Sequence, residues 1–171
     1  APWFLLVLVP VITMRSFAEE QLQGTSEILY SLPISLVDIV IGKFLGVLLI
    51  IAMAIAPTIF YALALEQLST TGGLDLGATI GSYIGLLFLG ATYAIIGLFA
   101  SSKTKQPMIA LILSVFIAGL VYKGFDWLST FSFIDTTYAF YITQLGLAAH
   151  YENMSRGVIS SIDCVYFISV I

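Results

Sequence analysis

Between Lys43 and Glu66 the chain runs 22 residues, Phe44–Leu65, without one charged side chain. In hydrocarbon there is no water to satisfy backbone amides and carbonyls, so a run of this kind must close its hydrogen bonds within itself. A helix rising 1.5 Å per residue needs about 20 apolar residues to cross a bilayer, and this run supplies them. Ile80–Ala100 is a second uncharged run of sufficient length. Pro107–Tyr122 is a third, but its 16 residues reach only about 24 Å as a helix. That run must therefore be marginal, extended by Gln106, or sheltered by neighbours. A membrane β-barrel would alternate apolar and polar residues, and LGVLLIIAMAIA does not. The expected fold class is all-α, a polytopic membrane helix bundle.

Composition agrees with this reading and removes other classes. Sixty per cent of the residues are hydrophobic and 9% charged, against about 25% charged in soluble domains. Six Lys and Arg against ten Asp and Glu leave no basic stripe for phosphates, so no nucleic acid partner is expected. The lipid bilayer is. Cys164 is the single cysteine and can form neither an internal disulfide nor a zinc cluster. The apolar stretches Ala1–Met14 and Cys164–Ile171 are too short to span alone, which suggests a single membrane domain over residues 1–171 that continues at both ends. The first stretch also lacks the basic n-region and cleavage site of a signal peptide.

Basic residues mark the cytoplasmic side of membrane proteins. If the first run enters the cytoplasm at Met14, the inside collects Arg15, Lys43, Lys103 and Lys105, and the outside Lys123 and Arg156. The connection QLSTTGGLDLG, free of basic residues, then lies outside.

Six of the sixteen charges (Arg15, Glu19, Glu20, Glu27, Asp38 and Lys43) fall within 29 residues. Ser16 followed by Glu19 has the spacing of a capping box that starts a short helix. Gly24 interrupts it. Thr25 then suits an N-cap, with Glu27 in a first turn where the helix dipole favours negative charge. Ile28, Leu29 and Leu32 give that second helix one apolar face, and Pro33 ends it. Ser35 and Asp38 cap the long membrane helix. The order is helix, break, short amphipathic helix, sharp turn and membrane helix, a piece suited to the membrane surface.

The run from Arg15 to Ser35, RSFAEEQLQGTSEILYSLPIS, resembles the segment after the second membrane helix of ABC-2 type transporter permeases. Gln21 departs from that pattern, which commonly has a basic residue there. A second stretch resembles the approach to the last membrane helix of the same family: H-x5-R-G-V-I-x3-D-x2-Y-F, filled by His150, Arg156, Gly157, Val158, Ile159, Asp163, Tyr166 and Phe167. Together the two segments are most similar to the gliding-motility-associated permeases of that family. The resemblance implies a fragment of a six-helix domain in the bacterial inner membrane. Residues 15–35 would be its cytoplasmic coupling-helix region and 123–160 an outer interfacial segment. It further implies an ABC ATPase subunit as partner, ATP bound by that subunit with no cofactor here, and a second permease copy or paralogue. The coupling residues it singles out are Phe17, Glu19, Glu20, Gly24, Thr25, Glu27, Leu29 and Pro33.

The residues themselves limit the chemistry. No G-x-x-x-x-G-K-[ST] loop is present, and Gly42-Lys43 is followed by Phe44, so nucleotide hydrolysis is expected on a separate chain. His150 and Glu152 lack a second His or a nearby Cys, and neither a metal site nor a catalytic pair is expected. Asn153-Met154-Ser155 fits a glycosylation sequon without further support. Gly42-x3-Gly46 and Gly81-x3-Gly85 allow close helix approach, first of all in packing and alternatively at a dimer seam. Pro57 should kink its helix. Nine aromatic residues between Tyr122 and Tyr151 suit the membrane interface. The rival function is a passive channel or secondary transporter. Ion coupling needs ionisable groups at the bilayer midplane, and Phe44–Leu65 and Ile80–Ala100 hold none.

Overall fold

The structure is a computed structural model and describes residues 2–25, 35–68, 75–130, 143–157 and 160–171. Among these the chain is helical, with α1 (Pro2–Thr13), α2 (Ala18–Gln23), α3 (Leu36–Leu68), α4 (Leu76–Lys103), α5 (Pro107–Gly119), α6 (Phe125–Ser129), α7 (Leu147–Ser155) and α8 (Ser161–Val170). Four stretches are long and apolar enough to cross a membrane: Pro2–Gln23, Leu36–Ala62, Gly77–Lys103 and Pro107–Ser129. The expected all-α polytopic bundle is therefore present.

Helix boundaries follow local chemistry. The Ser35 hydroxyl accepts from the Asp38 amide (3.2 Å) and donates to the Asp38 carboxylate (2.6 Å), so the cap read from the sequence forms and starts α3. Asp75 does the same for α4, its carboxylate accepting from the Gly77 and Ala78 amides. Pro107 opens α5, where a missing amide costs nothing. The marginal third run is lengthened in an unforeseen way. A π-helical turn, Leu120–Gly124, joins α5 to α6, so that the helical stretch reaches 23 residues. Residues 123–129, read from sequence as the start of the outer segment, continue this helix. Lys123 and Asp126, one turn apart, pair at 3.0 Å.

The chain divides into two compact units, residues 1–50 with 90–119, and 51–89 with 120–171. In the first, α1 packs against α5. The buried residues of α5 are Ala110, Ser114 and Ala118, a small-residue stripe at four-residue spacing. Thr13 of α1 lies against Gly97 of α4, where an added Cβ would strike its hydroxyl. Between membrane helices such close backbone approach replaces the hydrophobic drive that lipid does not provide. In the second unit α7 packs against α8 and against the π turn. The Met154 carbonyl and the Tyr151 ring lie on Gly81 and Gly85.

The two small-residue motifs thus differ. Gly81 and Gly85 take part in packing, whereas a Cβ at Gly42 or Gly46 would meet nothing within 4 Å among the described residues. Gly97→Ala should therefore lower stability by about 1–3 kcal/mol, the usual cost of overpacking. Gly42→Ala should leave it unchanged or slightly raised. Thermal unfolding in detergent, followed by circular dichroism, distinguishes the two.

Candidate functional site

The first charged cluster is built around the turn that ends α1. Thr13 closes the helix with its own hydroxyl, which donates to the Val9 carbonyl at 3.0 Å. The next groups to lose helical partners are the Met14 carbonyl and the amides of Phe17 and Ala18. All three meet one atom. The buried Ser101 hydroxyl donates to Met14 O and accepts from Phe17 N and Ala18 N, each at 3.0 Å. This is the full hydrogen-bonding capacity of a hydroxyl, one donor and two acceptor sites.

The capping box expected from Ser16 and Glu19 does not form. Phe17 occupies the N-cap without a side-chain cap bond, so the helix begins one residue later than the box requires. Glu20 then holds the third helical position, and its carboxylate turns to Lys43 of α3 at 2.6 Å. The Lys43 ammonium also donates to the Ser16 carbonyl and sits 4.1 Å from the centre of the Phe17 ring. Gln21 donates to the Ser102 carbonyl at 3.0 Å. The turn and α2 are thereby tied to α3 through Lys43 and to the end of α4 through Ser101 and Ser102.

Gly24 ends α2 in the left-handed region, with φ +71° and its amide donating to Glu20 O. A side chain there would be strained by its own backbone. The Thr25 amide and hydroxyl donate to the same carbonyl, at 3.1 and 3.3 Å, so the described role of Thr25 is to close α2. Of the coupling residues singled out by the sequence, Phe17, Glu19, Glu20, Gly24 and Thr25 share this turn and helix. Glu27, Leu29 and Pro33 lie outside the described residues.

The second cluster gathers the H-x5-R-G motif. His150 and Asp163, both buried, meet at 2.5 Å between Nδ1 and Oδ1. The other ring nitrogen, Nε2, donates to the Gln144 carbonyl at 2.8 Å. Tyr166 stacks on the imidazole at 4.0 Å between centroids and donates to Leu145 O at 2.5 Å. Phe167 meets the imidazole edge-on and stacks with Phe88. Gly157 has φ +84°, and a Cβ there would approach the Ala78 amide to 2.9 Å. Each described motif residue but one thus has a contact that needs its chemistry. The exception is Arg156, whose link to Glu152 at 3.8 Å is solvent-exposed and weak. Val158 and Ile159 lie outside the described residues. Burial raises the Tyr151 phenol above its ordinary value, so it stands against Gly85 as a neutral wall.

Sequence reasoning considered His150 beside Glu152, but its partner is Asp163. No group of three His, Cys, Asp or Glu that could hold a metal occurs among the described residues. Among the described residues the buried Asp163 Oδ2 has no partner, so the pair supplies the main compensation for burying that carboxylate. His150→Gln or Asp163→Asn alone should cost about 3–5 kcal/mol, the range for breaking a buried pair. The double variant should lose less than the sum, and a double-mutant cycle on thermal unfolding measures the difference.

A family model described as ABC-2 family transporter protein matches residues 3–155. No curated protein and no solved structure matches.

Proposed function

The chain belongs to the ABC-2 transporter family, and from that premise we propose that it is a membrane-spanning permease subunit driven by a separate ABC ATPase subunit. The observation that carries the proposal is the double attachment of the turn 14–17. A force on α2 cannot be absorbed locally, because Ser101 fixes its first amides to α4 and Lys43 fixes Glu20 to α3. Nucleotide-driven closure of the ATPase would pull on the region Phe17–Leu32, and these ties would hand the displacement to two membrane helices. In this reading Glu27 and Leu29 meet the ATPase, Glu20 carries the pull to Lys43, Gly24 and Thr25 make the break, and Pro33 the stiff joint.

The finer assignment rests on the residues of the two motifs. We place the chain with the gliding-motility-associated permeases, in the bacterial inner membrane, with a second permease copy or paralogue completing the pathway. Whether the complex exports a molecule or serves assembly of the motility machinery is a matter of its cargo.

Docking and transmission separate experimentally. Changing Glu27 to Ala and Leu29 to Asp, which leaves the Glu20–Lys43 tie in place, should abolish co-purification with an ABC ATPase subunit of the same organism. Ser101→Ala and Lys43→Met should leave co-purification intact while uncoupling ATP hydrolysis from function. Retention of ATP-driven function in the docking variant contradicts the proposal, and transport that continues without ATP favours a passive channel or secondary transporter.

A further inference from the structure

At the polar end of α1, beside residues 43–50 of α3, lies an open cleft of about 510 Å³. Ile12, Val47 and Ile50 supply its apolar wall. Gly46 lines it with bare backbone, and a Cβ at that position would meet nothing within 4 Å. The small residue therefore leaves space rather than receiving a neighbour.

The rim carries four charges. Lys43 and Glu20 neutralise each other at 2.6 Å. Arg15, which is exposed, and Glu19 form no ion pair among the described residues. Glu19 accepts only a long bond from Gln23, at 3.4 Å. One cation and one anion are thus left on the rim of a single cleft whose net charge is zero. Its location is defined by the sequence. Residues 1–14 and 44–65 are uncharged, so the cleft stands where hydrocarbon-spanning runs meet the polar segment, at headgroup level.

We infer that this cleft binds one phospholipid with a protonated amine headgroup, of the phosphoethanolamine class. Arg15 takes the phosphate, a pairing for which guanidinium is suited by its forked donors. Glu19 takes the ammonium, and an acyl chain lies along Ile12, Val47 and Ile50 over Gly46. The charges select this occupant. An anionic headgroup without an amine would satisfy Arg15 but set its negative charge near Glu19. A quaternary choline has no N–H to donate to the carboxylate. The volume falls within the range of small-molecule sites, roughly 300–1,000 Å³.

The test uses the full-length protein in nanodiscs or mild detergent, titrated with phosphatidylethanolamine, phosphatidylglycerol or phosphatidylcholine and read by native mass spectrometry. Phosphatidylethanolamine should be retained in preference to the other two. Arg15→Gln should weaken retention about tenfold, as expected for one charge-assisted contact. Gly46→Leu puts a side chain into the cleft, starting from a Cβ position that is open among the described residues, and should abolish retention while the unfolding midpoint without lipid stays near that of the parent. Glu19→Gln should remove the preference over phosphatidylglycerol. Equal retention by the parent and by Arg15→Gln, a change at an exposed side chain that the fold does not need, overturns the inference. A preference for phosphatidylglycerol in the parent does so too.

Discussion

Where α1 stops, a carbonyl and two amides must find new partners in a place with little water, and the Ser101 hydroxyl takes all three. A backbone group left unmade there would cost about 1–3 kcal/mol. The turn 14–17 therefore has its shape because α4 ends with a serine at that level. With Met14, Phe17 and Ala18 held, α2 starts at Ala18, and the start of α2 decides which glutamate reaches Lys43. Had Ser16 been the N-cap, Glu19 would have taken the capping role and Glu20 would have lost its register toward α3. One hydroxyl sets the phase of the whole charged segment.

The second unit solves the same problem with a side-chain pair. Asp163 lies in the first turn of α8, where the helix dipole favours negative charge, but it is buried and needs more than that. The ring of His150 provides it, oriented by the Gln144 carbonyl at Nε2 and held in its plane by Tyr166. The cost of burying these polar groups fixes α7 against α8 in one arrangement, which apolar contacts alone would not specify so sharply.

The sequence was most legible where one physical constraint acts over many residues. Uncharged runs located α3, α4 and α5, since nothing else tolerates the bilayer, and the Ser35 cap of α3 was visible because its partners lie three residues apart. It was least legible where partners are distant. Ser101 stands 84 residues from Phe17, and a serine after an apolar run carries no mark of what it will bind. Lys43 read as a flanking charge for the same reason, and His150 was set beside Glu152 because the Asp163 contact crosses from one helix to another. The π turn was hidden differently: Leu120–Gly124 has no proline or other sign of irregular winding, and only the shortness of the run hinted that the helix must go on.

Those distant contacts also bear on mechanism. A coupling segment attached to one membrane helix could swing without consequence, like a loop on a hinge. Attached to two, it becomes the short side of a frame, and any displacement must change the relation of the ends of α3 and α4 or break a bond. The bonds are unequal. The Ser101 contacts are buried and replace obligatory backbone partners, whereas the Lys43–Glu20 pair is partly exposed, a setting in which ion pairs contribute about 1 kcal/mol or less. In the proposed coupling the ion pair is the weaker link, yet the Ser16 carbonyl and the Phe17 ring still hold Lys43 to the turn, so a displacement would be shared between α3 and α4.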